Sequence, residues 1–288
     1  MRYKAHAASR RGPAMPSHAV PLLALLALAT PAIAQKSAQK SAQNSATHAG
    51  VSGARLRDAG IMRMGGTGPY GRTEVFEFLD QPDGSHILLN SITAANGSYR
   101  VQVRFDLTPD WRSVSARGTG LYDGTPVSIS MIREAGLVAI RVQGQGIDLA
   151  PKADCTPDCF INMSPSATAM FLMTRHYDMQ KGGVQSFTWA GQDLDRKRTL
   201  SGGRSNLSFK AMRPITRRDG STLNIQHFTF VESLPTPDGG RYNMDFDLWV
   251  DEAHRPMGFR ITSIKVPVIG FREGHEDVQA ALISQKDE

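Results

Sequence analysis

The feature that most narrows the choice of fold is an alternation of apolar and polar residues with period two, repeated along the chain. Tyr99, Val101, Val103, Phe105 and Leu107 alternate with Arg100, Gln102, Arg104 and Asp106, which predicts a strand with one buried and one wet face. Val127, Ile129 and Met131 alternate with serines, and Val138, Ile140 and Val142 resume the pattern after Glu134-Ala135-Gly136. Tyr242, Met244, Phe246, Leu248 and Val250 repeat it later, with Asn243, Asp245 and Asp247 on the expected wet face. Weaker strands are expected over 73–79, 86–93, 185–190, 206–212, 222–231 and 257–266. Pro82-Asp83-Gly84, Asn96-Gly97, Asp123-Gly124 and Asp219-Gly220 supply turns between apolar runs. Links this short cannot hold the crossover helices that parallel strands require, so antiparallel neighbours are expected.

One segment breaks the alternation. Ser164-Pro165 reads as an N-cap with proline at the first helical position, and Gly182-Gly183 closes the far end. A helix over about 164–181 would be apolar on more than one face and would need a sheet to lie against. The expected fold is therefore mostly β: a curved antiparallel sheet, an open or partial barrel, wrapped on one main helix. A β-sandwich is the alternative. A single β-rich domain would span 53–288, with strand groups at about 73–143 and 185–268 flanking the helix and a short helix near 276–285.

The residues before that domain read as an address. Arg2, Lys4, Arg10 and Arg11 precede an apolar Leu/Ala-rich run from Ala19 to Ala29, and Ala32-Ile33-Ala34 supplies small residues for cleavage. This is the order of a secretory signal peptide, 1–34, with Gln35 as the new N-terminus and a periplasmic or secreted location. A start at Met15 would forfeit all of those positive charges. Lys36-Ser-Ala-Gln39 then repeats as Lys40-Ser-Ala-Gln43, so 35–52 reads as a polar, low-complexity linker without the apolar residues for a core. Removing the signal also changes the charge argument. The chain carries 33 Lys+Arg against 27 Asp+Glu, and the signal holds four of the bases and none of the acids, leaving 29 against 27. A nearly neutral mature chain argues against nucleic acid as a partner.

In an oxidising compartment, Cys155 and Cys159 are expected to pair and pin a local loop. Motifs for catalysis do not assemble. Ser37-Ala-Gln-Lys40 falls in the low-complexity linker, and His275-Glu276 is followed by Gln279 where a zinc helix needs its second histidine. No metal, cofactor or catalytic residue is assigned on this basis. Asp245 and Asp247 share a face but read as solvated charge. The apolar inventory points instead to a ligand pocket. Met170, Phe171, Met173, His176 and Tyr177 come from the helix, and Phe187, Trp189, Met244 and Phe246 from the strands that follow. Methionine and aromatic side chains line adaptable sites for apolar ligands.

Glu74-Val-Phe-Glu-Phe, the run from Tyr99 through Thr108-Pro-Asp-Trp111, Ser164-Pro-Ser-Ala-Thr-Ala-Met, and Phe246-Asp-Leu-Trp-Val-Asp-Glu with Arg255-Pro256 together resemble a bacterial envelope domain of unassigned function. More distantly, the layout resembles the periplasmic lipoprotein carriers, in which a strongly curved antiparallel sheet encloses an acyl-chain cavity. That resemblance implies a non-enzymatic periplasmic protein that binds a lipid or other amphipathic ligand in a half-barrel. A structural module docking on an envelope protein is the alternative, and a hydrolase a remote one.

Overall fold

In the computed structural model the alternating segments belong to one sheet of 16 strands. The described residues are 53–65, 71–144, 147–155, 159–193, 202–235, 240–264 and 268–284, so the expected signal and linker lie outside them. The first group contains β1 (Arg55–Met64), β2 (Arg72–Asp80), β3 (His86–Ala94), β4 (Tyr99–Leu107), β5 (Ser113–Tyr122), β6 (Thr125–Glu134) and β7 (Leu137–Gly144). Each pairs antiparallel with the next. The short β8 (Ile147–Leu149) and β9 (Lys152–Asp154) both pair with β7. The second group contains β10 (Cys159–Ser164), β11 (Val184–Asp193), β12 (Gly203–Thr216), β13 (Thr222–Pro235), β14 (Arg241–Asp251), β15 (Pro256–Ile261) and β16 (Val268–Arg272).

The two groups join where β16 pairs with β1, Met62 standing opposite Arg272. One continuous, curved and unclosed sheet results, in place of the two layers of a sandwich. β1 was not expected as a strand, because Arg55-Leu-Arg-Asp-Ala-Gly-Ile-Met-Arg-Met64 does not alternate. The expectation of antiparallel pairing fails at one place. β10 and β11 are parallel, Cys159 opposite Thr188, because the chain between Ser164 and Val184 is long enough to cross over and return.

Burial follows the alternation where the sequence shows it. Tyr99, Val101, Val103, Phe105 and Leu107 of β4 are buried while Arg100 and Gln102 are exposed. The inner faces meet in one large core that includes Phe105, Met163, Phe171, Trp189 and Phe230. β10 reaches the opposite wall at β5, where Gly118 makes room: a Cβ there would stand 2.6 Å from Met163 Sδ. The Cys155 and Cys159 sulfurs are bonded, tying the residue after β9 to the first residue of β10.

The outer face is not wet throughout. Ile215, Ile225, Trp249, Met257 and Phe271 pack under Val278 and Leu282 of the terminal helix α1 (Glu276–Ser284). This second core covers the outer side of β14, which is buried on both faces from Phe246 to Asp251. The expectation of a solvated Asp247 is thereby corrected. It is buried, 2.9 Å from His227 Nε2 and 2.6 Å from Arg260 Nη2. Burial alone would raise its pKa, but hydrogen bonds from His227 and Arg260 hold the carboxyl below its ordinary value.

The expected α-helix over 164–181 is also corrected. Ser164 is the last residue of β10, and the helix is a 3₁₀ helix, Thr168–His176. Its start is set from outside, by Glu74 of β2, which is 0 % exposed. The Glu74 carboxylate accepts the backbone N–H groups of Ala167 at 2.8 Å and Thr168 at 3.0 Å, together with the hydroxyls of Ser166 and Thr168. Asn90 of β3 donates to Ser166 Oγ at 2.5 Å. A helix N-terminus presents unpaired N–H groups and positive potential, and a buried carboxylate from the wall satisfies both. At the other end Tyr177 turns extended, and its hydroxyl donates to Gly183 O at 2.7 Å.

Replacing Glu74 by alanine leaves those buried donors without an acceptor and is expected to lower stability by about 3 kcal/mol or more. Urea unfolding measures this. A loss below about 0.5 kcal/mol would show that the carboxylate does not hold the helix in place.

Candidate functional site

The far end of the 3₁₀ helix carries Thr174, Arg175 and His176 to one end of the barrel, where two turns meet them. The first joins β4 to β5. Trp111 N–H donates to Thr108 O at 2.9 Å, and Thr108 Oγ1 donates to Asp110 at 2.5 Å. The second joins β14 to β15. Asp251 Oδ1 accepts the N–H groups of Ala253 and Arg255, and His254 N–H donates to Asp251 O at 2.9 Å. Each turn places one bulky residue in the left-handed region, Trp111 at φ 67° and His254 at φ 55°. Such conformations are costly for residues other than glycine and persist where the surroundings over-determine them.

Both residues contact Arg175. Its Cζ lies 4.0 Å from the centroid of the Trp111 ring, and its Nη2 donates to His254 O at 3.3 Å. On the indole, His86 stacks at 3.8 Å with an interplanar angle of 15°, Phe78 meets an edge at 5.8 Å, and Arg57 approaches to 5.4 Å. His254 Nδ1 lies 3.2 Å from Thr174 Oγ1. His176 packs against the Phe160 ring at 5.0 Å.

Four carboxylates at this end each meet an arginine. Asp80 is taken by Arg57 at 2.6 Å and Arg55 at 3.3 Å, and Asp58 by Arg272 at 2.6 Å. Asp251 is taken by Arg255 at 2.5 Å and Asp110 by Arg112 at 3.0 Å. Among the described residues no carboxylate stands at ion-pair distance from Arg175. Burial, then repulsion from Arg57, pushes its pKa down to about 10, against the more distant attraction of Asp251, Asp58 and Asp80. It therefore stays charged at neutral pH, half-buried on an aromatic face. Burial, and then the nearby Arg175, push His254 down to about 4, so it is neutral there. His176 is shifted the same way, by burial and then by Arg112. The cation–π contact fixes the guanidinium plane, and the N–H groups not engaged by His254 O have the geometry to donate to a carboxylate or phosphate.

The residues proposed from sequence lie elsewhere for the most part. Met170, Phe171, Met173, Tyr177, Trp189 and Phe246 are buried in the main core, with Phe187 and Met244 packed at its margin. His176 adjoins the Arg175 end. An open cleft of about 730 Å³ shares no lining residue with the Arg175 end and is bordered by Asp154, Thr188, Arg204, Asn206, Ser233 and Asn243; of the proposed residues, Trp189 borders it. Trp111, Arg175, His254 and His86 were not singled out. One signal was available: Arg175 is a charge inside a run otherwise greasy enough to be buried.

No family model matches the chain, and no curated protein matches it in sequence. Among solved structures, the fold is similar to that of a β-barrel-like protein from Brucella abortus of the domain of unknown function DUF1849. The TM-score is 0.50 at 10% identity, over 74% of this chain and 94% of that one. A DUF1089 family protein from Pseudomonas aeruginosa matches with TM-score 0.41 and 16% identity, over 67% of this chain and 92% of that one. The likeness to the first is one of fold.

His254 makes the site sensitive to acid. Its folded pKa of about 4 lies below its ordinary 6.5, so its contribution to stability is complete above about 6.5. As pH falls from there, the unfolded chain takes up a proton that the folded one refuses, and stability drops until about pH 4. His254→Asn removes the titration and tolerates the left-handed backbone. The melting temperature of the natural chain should fall more steeply than that of the variant between about pH 7 and about pH 4.5; equal slopes would remove His254 from the account.

Proposed function

We propose that this protein is an exported, non-enzymatic binding module that seats the anionic head group of an amphipathic ligand on Arg175 at the end of its barrel. The observation that carries the reading is the Arg175 guanidinium, 4.0 Å over Trp111 and without a carboxylate partner among the described residues. A half-buried charge lacking a counterion is costly, and the strained residues on either side of it hold it in that position. A bound carboxylate or phosphate would relieve the cost, and the Trp111 ring offers an apolar surface beside the charge for the first part of a tail. The head group is thus received at the mouth. The barrel interior, where Met170, Phe171 and Phe246 pack together, acts as scaffold around the 3₁₀ helix.

Titration with dodecanoate and dodecyl phosphate, against dodecanol and dodecylamine as controls, tests the reading by calorimetry. The anionic amphiphiles should bind and the controls should not. Arg175→Gln should weaken binding by about tenfold to a hundredfold, the range for one charge-assisted contact. Equal binding of dodecanol, or an unchanged Kd in the variant, would overturn it.

Export belongs to the same reading, and the N-terminal zones of 1–34 support it. N-terminal sequencing of protein recovered from the producing cell should begin at Gln35. Recovery of intact chain beginning at Met1 or Met15 would refute cleavage.

A further inference from the structure

A second polar group lies on the inner wall, away from the mouth. Glu232 of β13 is 6 % exposed and shares the inner face with Phe228 and Phe230. Its cross-strand neighbours are Ser205 of β12 and Met244 of β14. From β10, Asn162 Nδ2 donates to Glu232 Oε1 at 3.2 Å. Among the described groups nearest Glu232 on this wall, the Ser205 hydroxyl, at 0 % exposure, and the Trp189 indole N–H, at 1 %, have no hydrogen-bond partner. Trp189 lies across Gly203, its cross-strand neighbour, where a Cβ would stand 2.8 Å from Nε1. Gly203 and Ser205 are successive positions of one face, about 7 Å apart, and Ser205 stands opposite Glu232 at about 5 Å between Cβ atoms. Orphaned buried groups at such spacings are what internal waters bridge, with about three partners each.

We propose that Trp189, Ser205 and Glu232 share an internal water site, and that the protonated Glu232 there latches β10 to the barrel wall through Asn162. In the neutral form the carboxyl accepts from Asn162 and donates its O–H to the water, which also accepts from the Trp189 N–H and donates to Ser205 Oγ. In the ionised form the wall must hold a bare charge. The described groups that face Glu232 from β10, β12 and β14 are Asn162, Ser205 and Met244, none of them charged, while strand alternation turns Arg204 and Arg241 to the other face. Trp189 of β11 is uncharged as well. In support, burial pushes the carboxyl up to about 7, with the Asn162 hydrogen bond pulling weakly the other way. The sign follows from the raised value. Between the ordinary 4.5 and about 7 the folded wall keeps a proton that an opened one loses, so the latch is tightest at the acid end of that window and weakens as pH rises through it.

Two measurements on the full chain test this. The first is hydrogen exchange at the amides of Phe160 to Met163, corrected for intrinsic rates, at about pH 5.5 and about pH 8.5. Protection should fall at least about fivefold in the natural chain and stay level in Glu232→Gln. A level natural chain, or a variant that falls equally, overturns the latch. The second is the carboxyl carbon of Glu232 followed by NMR, which needs no substitution at that residue. A midpoint near about 7 is expected, moving higher in Ser205→Ala and in Trp189→Phe as the water loses partners. A midpoint near the ordinary value overturns the latch, and a midpoint unmoved in both variants overturns the shared water.

Discussion

The Glu74 carboxylate holds the end of a 3₁₀ helix against the inner wall, and most of what is distinctive here depends on it. A nine-residue 3₁₀ helix is long for its kind, and its first N–H groups would be orphans in an apolar interior. Glu74 accepts two of them and two hydroxyls besides, while Asn90 secures Ser166 from the next strand. With that end anchored on β2 and β3, the other is delivered to the turns of Trp111 and His254. The position of Arg175 is thus set from the opposite end of the helix.

The mouth shows the complementary constraint. Four carboxylates there each meet an arginine, and the bidentate pair of Asp58 and Arg272 ties β1 to β16 at the junction of the two halves. These pairs occupy the carboxylates, and among the described residues none is left within ion-pair distance of Arg175 on its indole face. Asp80 makes the balance plain: burial would raise its pKa, yet hydrogen bonds from Arg57, Arg55 and His86 hold it below the ordinary carboxylate value. The proposed anion site rests on that arrangement, in which the acids are taken up in structural pairs and one cation is held apart from them.

Legibility in the sequence followed local rules. β4, β6 and β7 were readable because one face is apolar throughout and the turns that precede them carry Asn96-Gly97, Asp123-Gly124 and Ala135-Gly136. β1 and β5 were not, since Gly60, Gly118 and Gly120 interrupt their alternation for the sake of close neighbours on the wall. Asp247 was misread because its partners, His227 of β13 and Arg260 of β15, are remote in sequence and cover it on the outer face. The aromatic and methionine residues of the helix were readable as a group that must be buried. Trp111 and His254 were not readable as a site, because each is an isolated residue in a turn and only the fold brings them to the same guanidinium.

By itself the sequence determined the β-rich character, the strand periods and most of the turns, all of which depend on residues a few positions apart. The tertiary structure decided the rest: that the halves share one sheet through β1, that the helix is 3₁₀ and capped from β2, that β10 and β11 are parallel, and that no described carboxylate reaches Arg175. The physical reason is common to these. Each depends on a hydrogen bond, an ion pair or a ring contact between residues far apart in the chain, and no local pattern encodes which distant partner a buried carboxylate or a surplus guanidinium will meet.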